Sequence, residues 1–430
     1  MNTAMNTDLT VAAWPGLTPR LLRSAATPES LEDYRGAGGY RPVPDPAALL
    51  DEIARAGVLG RGGAAFPMAV KLTTVRDASL RGRDTVLVAN GEEGEPASVK
   101  DRWLLRHRPH LVLDGLRLAA RVIGARHAHV YVSDGRAAQA VAAALDEVGA
   151  DGLDGVTVGI RTVPPGYVAG EETAAVRAIN GGPAKPTDKP PRPFEQGVGG
   201  LPTVVSNVET LANLPFLVAH GVTAYREAGT QRSPGTFLAT LTGGGRGPGL
   251  YELPFGVSMA DVLRLHGIPL DRVRGALMGG YFAGLLDRRV LDCTVDHDSL
   301  RAHGSGLGCG AVSVLTDECP VAVGAAVLGY YDRENAGQCG SCFNGTAAMA
   351  AAAAALRDGV ASAEDLERLQ RWSVVLRGRG ACATLDAATN IAASMLAMFT
   401  DDVARHLDGR CPTCAVAAYT APRPFEVEAL

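Results

Sequence analysis

Four short stretches of this 430-residue chain combine residue types and spacings that can do chemistry. The first is Gly60-Arg-Gly-Gly-Ala-Ala-Phe-Pro67, with Lys71 following. Closely spaced glycines let backbone amides approach a phosphate with no Cβ in the way, and a helix N-terminus nearby adds favourable charge. Lys71 is placed to neutralise such a phosphate, although the same glycines also suit a plain turn. The second stretch, Asn90-Gly-Glu-Glu-Gly-Glu-Pro96, sets three carboxylates beside two glycines. It suits sugar hydroxyls or proton handling, with Glu93 and Glu95 as the proton-handling candidates, or it is a solvated acidic turn. The third, Gly170-Glu-Glu-Thr173, opens a helix, where adjacent acids complement the helix dipole. It gains meaning beside Lys185-Pro-Thr-Asp-Lys-Pro-Pro191 and Asn207-Val-Glu-Thr210 downstream. The fourth is Cys339-Gly-Ser-Cys342 with Cys382 40 residues further on, a pattern open to zinc, a redox disulfide or an iron–sulfur cluster.

The elements that must position these motifs follow from periodicity. Residues 1–40 read as an extended or lightly helical leader. A helical pattern over 46–56 runs into the glycine loop. Apolar strands at 86–89, 129–133 and 156–163 alternate with helical patterns at 110–123 and 137–148. Residues 41–230 are therefore expected to form a Rossmann-like α/β domain with helices on both faces. Loops at the carboxyl ends of strands are where such sheets bind ligands, and the second and third motifs fall there. Residues 182–202, dense in Pro, Gly and Lys, form a long irregular loop of the functional or disordered kind. Residues 231–300 carry the strand–turn–strand–helix–strand order of a small β-grasp domain. Residues 301–410 read as a C-terminal helical bundle of four helices, and 411–430 as a tail bearing Cys411-Pro-Thr-Cys414. The overall class is α/β, with no internal repeat.

Composition narrows the function. The 41 basic and 46 acidic residues leave a formal charge of −5, without the excess that a nucleic-acid-binding face or a polybasic membrane anchor requires. A hydrophobic share of 47% suffices for more than one core. No signal-peptide pattern opens the chain, and the longest apolar stretches fall short of the roughly 20 residues that span a bilayer. A cytoplasmic location without direct membrane insertion is expected. Eight cysteines in such a chain point to metal or redox work rather than to a disulfide scaffold.

In their order and spacing the motifs resemble the NADH-binding flavoprotein subunit of respiratory complex I and the related subunits of NAD-linked hydrogenases and formate dehydrogenases. The likeness runs from about Gly38 to His406. It is carried by Gly60-Arg-Gly-Gly-Ala-Ala-Phe-Pro67, Gly94-Glu-Pro96, Lys100-Asp101-Arg102 and Gly170-Glu-Glu-Thr-Ala174. Lys189-Pro-Pro191, Pro202-Thr203, Asn207-Val-Glu-Thr-Leu-Ala-Asn213, Gly337-Gln-Cys339 and Cys382-Ala383 extend it. The resemblance implies an FMN pocket with NADH laid over the flavin ring. Gly60, Arg61, Gly62, Gly63 and Phe66 would line the nucleotide side. Lys71, Asn90, Glu93, Glu95, Gly170, Glu171, Glu172, Asn207 and Thr210 would hold FMN or the NADH ribose. Hydride would pass from nicotinamide to flavin, and electrons singly onward to a four-iron (4Fe-4S) cluster. The next carrier would be a separate small iron–sulfur protein, a ferredoxin or a thioredoxin-like 2Fe-2S subunit, with peripheral attachment to a membrane complex.

The sequence departs from that family in places. The cluster's first cysteine position is Ala336, leaving Cys339, Cys342 and Cys382. Three thiolates can hold a cluster with an open or non-cysteine position, a three-iron cluster, or nothing. Cys411 and Cys414 lie beyond the likeness. They can fold back as a missing ligand, meet a partner's redox centre, or do neither. Ala65 stands for the family's last loop glycine, Leu72 and Thr74 for an aromatic pair, and Arg192 for another aromatic, while Phe66 survives. Stacking on a base contributes about 1–3 kcal/mol, so these changes weaken NADH binding. Arg192 matches a 2′-phosphate and favours NADPH. The leading reading is an FMN-dependent NAD(P)H dehydrogenase electron-input subunit; the alternative is a catalytically degenerate flavin-binding scaffold of a redox complex. A third reading, the input subunit of an ion-pumping ferredoxin:NAD oxidoreductase, is opposed by the absence of a ferredoxin-type cysteine run.

Overall fold

The computed structural model describes residues 9–23, 27–149, 152–409, 411–417 and 419–427. Its ten strands are β1 (Thr10–Ala13), β2 (Val86–Asn90), β3 (His127–Val132), β4 (Thr157–Thr162), β5 (Thr203–Asn207), β6 (Thr236–Gly243), β7 (Arg246–Pro254), β8 (Gly275–Met278), β9 (Leu285–Asp287) and β10 (Ala311–Leu315). They form two sheets.

The first sheet has the order β4-β3-β2-β5, every pair parallel. The apolar run of β2 is buried because helices cover both faces, as parallel crossovers require. Helix Pro109–Ile123 carries the chain from β2 to β3, and helix Gly135–Val148 carries it from β3 to β4. The first is buried along almost its whole length. Gly115 permits this: a Cβ there would lie 2.0 Å from the Leu211 carbonyl oxygen. From β4 the chain returns to add β5 on the opposite side of β2. That reversal opens a crevice between the carboxyl ends of β2 and β5, where Asn90 and Asn207 stand in register.

The second sheet has the order β1-β7-β6-β10-β8-β9 and is mixed. β6 and β7 form a hairpin across Gly243, Gly244 and Gly245, all with positive φ. Helix Met259–Leu265 packs into the same core. Two contributions come from outside residues 231–300. β10, placed by pattern with the helical segment, pairs parallel with β6 and antiparallel with β8. β1, in what reads as a leader, pairs parallel with β7. The leader is further held by Glu252, whose buried carboxylate accepts from the amides of Arg20 (2.9 Å), Leu21 (2.9 Å) and Leu22 (3.0 Å).

Among the described residues, five helices rather than four start within the C-terminal part, 301–410: Pro320–Glu334, Gly340–Arg357, Ala363–Val375, Thr384–Met398 and Thr400–Leu407; the tail adds a sixth, Pro412–Val416. The first is the buried axis around which the others pack. The Pro-rich loop is ordered and ties the α/β part to this bundle. Lys185 Nζ donates to the Ala336 carbonyl (2.8 Å), and Gln338 Nε2 donates to the Pro186 carbonyl (2.7 Å). Among the described residues no helix is long and apolar enough to cross a membrane.

Candidate functional site

The glycine loop leaves helix Pro46–Ala56 through Gly57 and closes on itself, with Gly60 N donating to the Phe66 carbonyl (2.9 Å). Gly62 faces the crevice wall so closely that a Cβ would come within 3.3 Å of Asn207 Cβ, and Gly63 has φ +117°. Ala65 sits at φ 50°, a left-handed conformation that glycine occupies without strain. The Arg61 amide donates to Thr210 Oγ1 (2.8 Å), pinning the loop to the helix after β5. The Arg61 side chain folds back on the base of the loop, donating to the Leu59 carbonyl (2.8 Å). It donates to the Thr236 carbonyl (3.0 Å) and lies 4.6 Å over the Phe255 ring. Arg61 therefore locks the loop to the second sheet and offers the crevice backbone rather than charge. Phe66 remains 45% exposed, available to stack on a planar ligand. Lys71 Nζ stands 5.9 Å from its ring centroid, 3.1 Å from the Val205 carbonyl and 3.7 Å from Glu172.

The acidic loop after β2 divides its carboxyls between three jobs. Glu93 is fully engaged: it accepts from Ser98 Oγ (2.6 Å), Asp101 N (3.2 Å), Arg102 N (3.0 Å) and Arg102 Nε (3.2 Å). Burial alone would raise its pKa, but the charges of Arg102 and Lys100 and the Ser98 hydroxyl outweigh burial and hold it below the ordinary carboxylate value. Its lone pairs thereby brace the start of helix Lys100–His107. Glu95 accepts from Tyr281 N (2.9 Å) and Ala97 N (3.3 Å), joining the loop to the second sheet; burial pushes its carboxyl up to about 8. Glu92, which the motif alone did not single out from its neighbours, is the unsatisfied member. Both of its carboxyl oxygens are buried without a hydrogen-bond partner. Burial pushes Glu92 to about 8, and the nearby Gly166 amide and Ser133 hydroxyl only temper that rise. Burial therefore favours its protonated form.

The remaining walls come from β5 and the third motif. Asn90 Nδ2 donates to the Gly170 carbonyl (2.8 Å). Gly170 must lack a side chain because a Cβ would sit 2.7 Å from Glu92 Oε2. Glu171 caps helix Glu172–Ile179, accepting from Thr173 N (2.8 Å) and from Lys189 Nζ (2.6 Å). Glu172 is left between Lys189 (3.5 Å) and Lys71 (3.7 Å), with its carboxylate partly exposed. Asn207 accepts from Glu209 N (3.0 Å) and donates to Asp101 Oδ2 (2.7 Å). Beneath it lies a buried ionic knot: Lys100 Nζ is 2.7 Å from Asp101 and 2.9 Å from Glu209. A cleft of about 640 Å³ also runs between helix Glu172–Ile179 and the Pro-rich loop.

These observations fit a flavin nucleotide. Amides without Cβ hindrance, a half-exposed aromatic, a flanking lysine and an unpartnered protonated carboxyl converge where β2 and β5 part. The three cysteines of the fourth motif also gather. Cys342 interacts electrostatically with Cys382 and Cys339, and Ala381 N donates to Cys339 Sγ (3.4 Å). Three thiols thus stand near one another at the start of the bundle, while the fourth position of the motif, Ala336, offers a methyl group. Cys411 and Cys414 do not join them but pack against Cys319 and His406.

Fold and site define a flavin-dependent oxidoreductase of the electron-input kind. Residues 53–216 match the model of the Nuo51 FMN-binding domain, and residues 322–406 match that of the NADH-ubiquinone oxidoreductase-F iron-sulfur binding region. The chain belongs to the NADH-quinone oxidoreductase-F family. It is 33% identical over 418 residues to the second NADH-quinone oxidoreductase-F protein of Rhizobium meliloti, covering 92% of this chain and 99% of that one. It is 30% identical to the HndC component of the NADP-reducing hydrogenase of Solidesulfovibrio fructosivorans, covering 91% of this chain and 84% of that one. The crystal structure of an NAD+-reducing NiFe-hydrogenase in its H2-reduced state superposes with a TM-score of 0.78 at 30% identity. That match covers 90% of this chain, which spans 65% of the hydrogenase chain's length.

Proposed function

We propose that this chain takes a hydride from NADH or NADPH onto FMN bound between β2 and β5 and delivers single electrons through its cysteine-bearing bundle to a separate iron–sulfur subunit. When bound, FMN supplies the conversion from a two-electron donor to one-electron carriers. The chain's residues bind, orient and exclude water. The amides of Gly60 to Gly63 would hold the phosphate, and Lys71 would offset its charge from the flank. Asn90 and Gly170, joined by a hydrogen bond, fix the loop edges that would hold the flavin's sugar chain. Glu92 donates its proton to a ligand acceptor. The exposed Phe66 ring would offer a stacking surface to a nicotinamide, and Lys189 and Glu172 would be available to its ribose. Glu95 and Arg61, both anchored to the second sheet, hold the pocket's two rims together.

The observation that carries this reading is the glycine-lined crevice between β2 and β5, walled by the buried Glu92 carboxyl, whose oxygens have no hydrogen-bond partner. Its test is FMN titration of the flavin-stripped protein and of Glu92→Ala. Tight stoichiometric binding that weakens at least tenfold in the variant supports the reading; equal binding refutes the role of Glu92.

Arg192 lies between Pro191 and Pro193, which line the cleft of about 640 Å³, and no ion pair holds its guanidinium among the described residues. That leaves it free for a 2′-phosphate and supports NADPH as a substrate. The three-thiolate group Cys339, Cys342 and Cys382 would hold an iron–sulfur cluster with one position not filled by cysteine. A small iron–sulfur protein, of ferredoxin or thioredoxin-like 2Fe-2S type, is the proposed acceptor within a multi-subunit NADH-oxidising complex, with peripheral membrane association through that complex. A second reading, a scaffold that keeps flavin without turnover, draws on Ala65 at a strained loop position and on Ala336. Flavin reduction by pyridine nucleotide separates the two.

A further inference from the structure

The tail pair that falls outside the family's cluster motif has found other partners. Cys319, His406, Cys411 and Cys414 bring four ligand atoms together, all within 4.8 Å of one another. Cys319 Sγ is 3.1 Å from His406 Nε2 and 3.9 Å from Cys411 Sγ, and Cys414 Sγ is 3.7 Å from His406 Nε2. None of the three thiols forms a disulfide; Cys319 and His406 are 1% exposed, and Cys411 is 7% exposed. We propose that these four residues form a tetrahedral Cys3His site for a single zinc ion, separate from the Cys339–Cys342–Cys382 group.

The spacing decides between ion and cluster. Four ligands at about 2.0–2.3 Å from one zinc lie about 3.3–3.8 Å apart at tetrahedral angles. The three separations given above fall close to that range, and closing on an ion needs only small side-chain shifts. A four-iron cube sets each ligand sulfur on a different iron and spreads the sulfurs farther apart. The local backbone also has the form such a site needs. Cys319 precedes Pro320 and Cys411 precedes Pro412, each at the start of a helix. The amides of Val321 and Ala322 accordingly face the Cys319 sulfur, and those of Thr413 and Cys414 face the Cys411 sulfur. His406 is steered from behind by the backbone carbonyls of Arg357 and Leu356, which set the ring so that Nε2 faces the thiols. Three thiolates around a divalent ion carry one net negative charge. Arg357, beside Cys414, and Arg405, beside Cys411, lie where they offset it.

The site has a structural consequence independent of the flavin reading. It would fasten the tail to the first bundle helix through Cys319. The tail's end then reaches the acidic loop: Val427 N donates to the Pro96 carbonyl (2.9 Å), Arg102 Nη2 donates to the Val427 carbonyl (3.3 Å), and the Tyr281 hydroxyl donates to the Pro424 carbonyl.

The full-length protein, purified without added metal, is assayed for zinc and iron per chain, and its zinc edge is examined by X-ray absorption. One zinc per chain in a three-sulfur, one-nitrogen environment is expected. In the Cys411→Ser/Cys414→Ser double variant zinc should fall at least tenfold while iron per chain stays unchanged. Loss of iron together with zinc, a four-sulfur environment, or protein that is zinc-free with a Cys411–Cys319 disulfide overturns the proposal. Should the double variant not fold, the wild-type absorption spectrum and the single, half-buried Cys414→Ser variant carry the same decision.

Discussion

Replacing Glu95 by glutamine tests whether a buried, protonated carboxyl joins the flavin domain to the second sheet. Burial lifts Glu95 from 4.5 to about 8, so the folded protein keeps a proton there that the unfolded chain releases. A raised carboxyl contributes stability that is complete below the unfolded value and is lost as pH climbs through the folded one. At about pH 6 the group lies roughly two units below its folded value, and at roughly 1.4 kcal/mol per unit it contributes about 2.7 kcal/mol; by about pH 9 almost none remains. Partial solvent access at the loop trims the change to about 2 kcal/mol. Glutamine matches the protonated form in shape and cannot titrate. Urea unfolding of both proteins in excess FMN should therefore show near-equal stability at pH 6, with the variant ahead by about 2 kcal/mol at pH 9. A wild-type-minus-variant difference that does not move with pH refutes the buried-proton assignment. A variant about 2 kcal/mol weaker at pH 6 refutes the claim that the proton is carried at all.

Ala65→Gly relieves a left-handed alanine. Strain relief of about 1–2 kcal/mol, less about 0.4–1 for the freer unfolded chain, predicts a net gain of about 0.5–1 kcal/mol in unfolding free energy and unchanged or tighter FMN binding. Destabilisation would show that the loop needs alanine's side chain. Lys100→Met leaves Asp101 and Glu209 buried without their cation, so a loss of about 3–5 kcal/mol and release of flavin are expected on denaturant titration; a neutral result would mean the knot is dispensable. Ala336→Cys should raise iron and sulfide per chain and slow cluster loss in air; no change in iron argues against a cluster at Cys339, Cys342 and Cys382. Arg192→Ala should lower kcat/KM for NADPH at least tenfold while leaving NADH within about twofold, as expected for a guanidinium on a 2′-phosphate; equal loss for both nucleotides excludes that contact.

Much of the flavin domain was legible because its signals are local. The apolar run at Val86 and the alternation of strands with amphipathic helices follow from burial on both sheet faces, and the observed bounds differ from the expected ones by a residue or two. The placement of the acidic loop at a strand's carboxyl end was likewise readable. What was not readable depends on long-range pairing. β1 is four residues long and acquires its role only from β7, and β10 completes a sheet whose other strands end 24 residues earlier. Side-chain direction was hidden too. Arg61 lies inside the glycine motif yet points at Thr236 and Phe255, and nothing in the motif distinguishes the engaged Glu93 from the unpartnered Glu92. Cys319 and His406 are 87 residues apart and meet the tail pair only in the folded bundle.

The most direct measurement is the visible spectrum of FMN-reconstituted protein held without oxygen, recorded before and after NADH and NADPH are added separately. A flavin band that bleaches with at least one nucleotide, at one flavin per chain, is the predicted result. Protein that stays colourless after reconstitution, or a bound flavin that neither nucleotide reduces, contradicts the assigned chemistry.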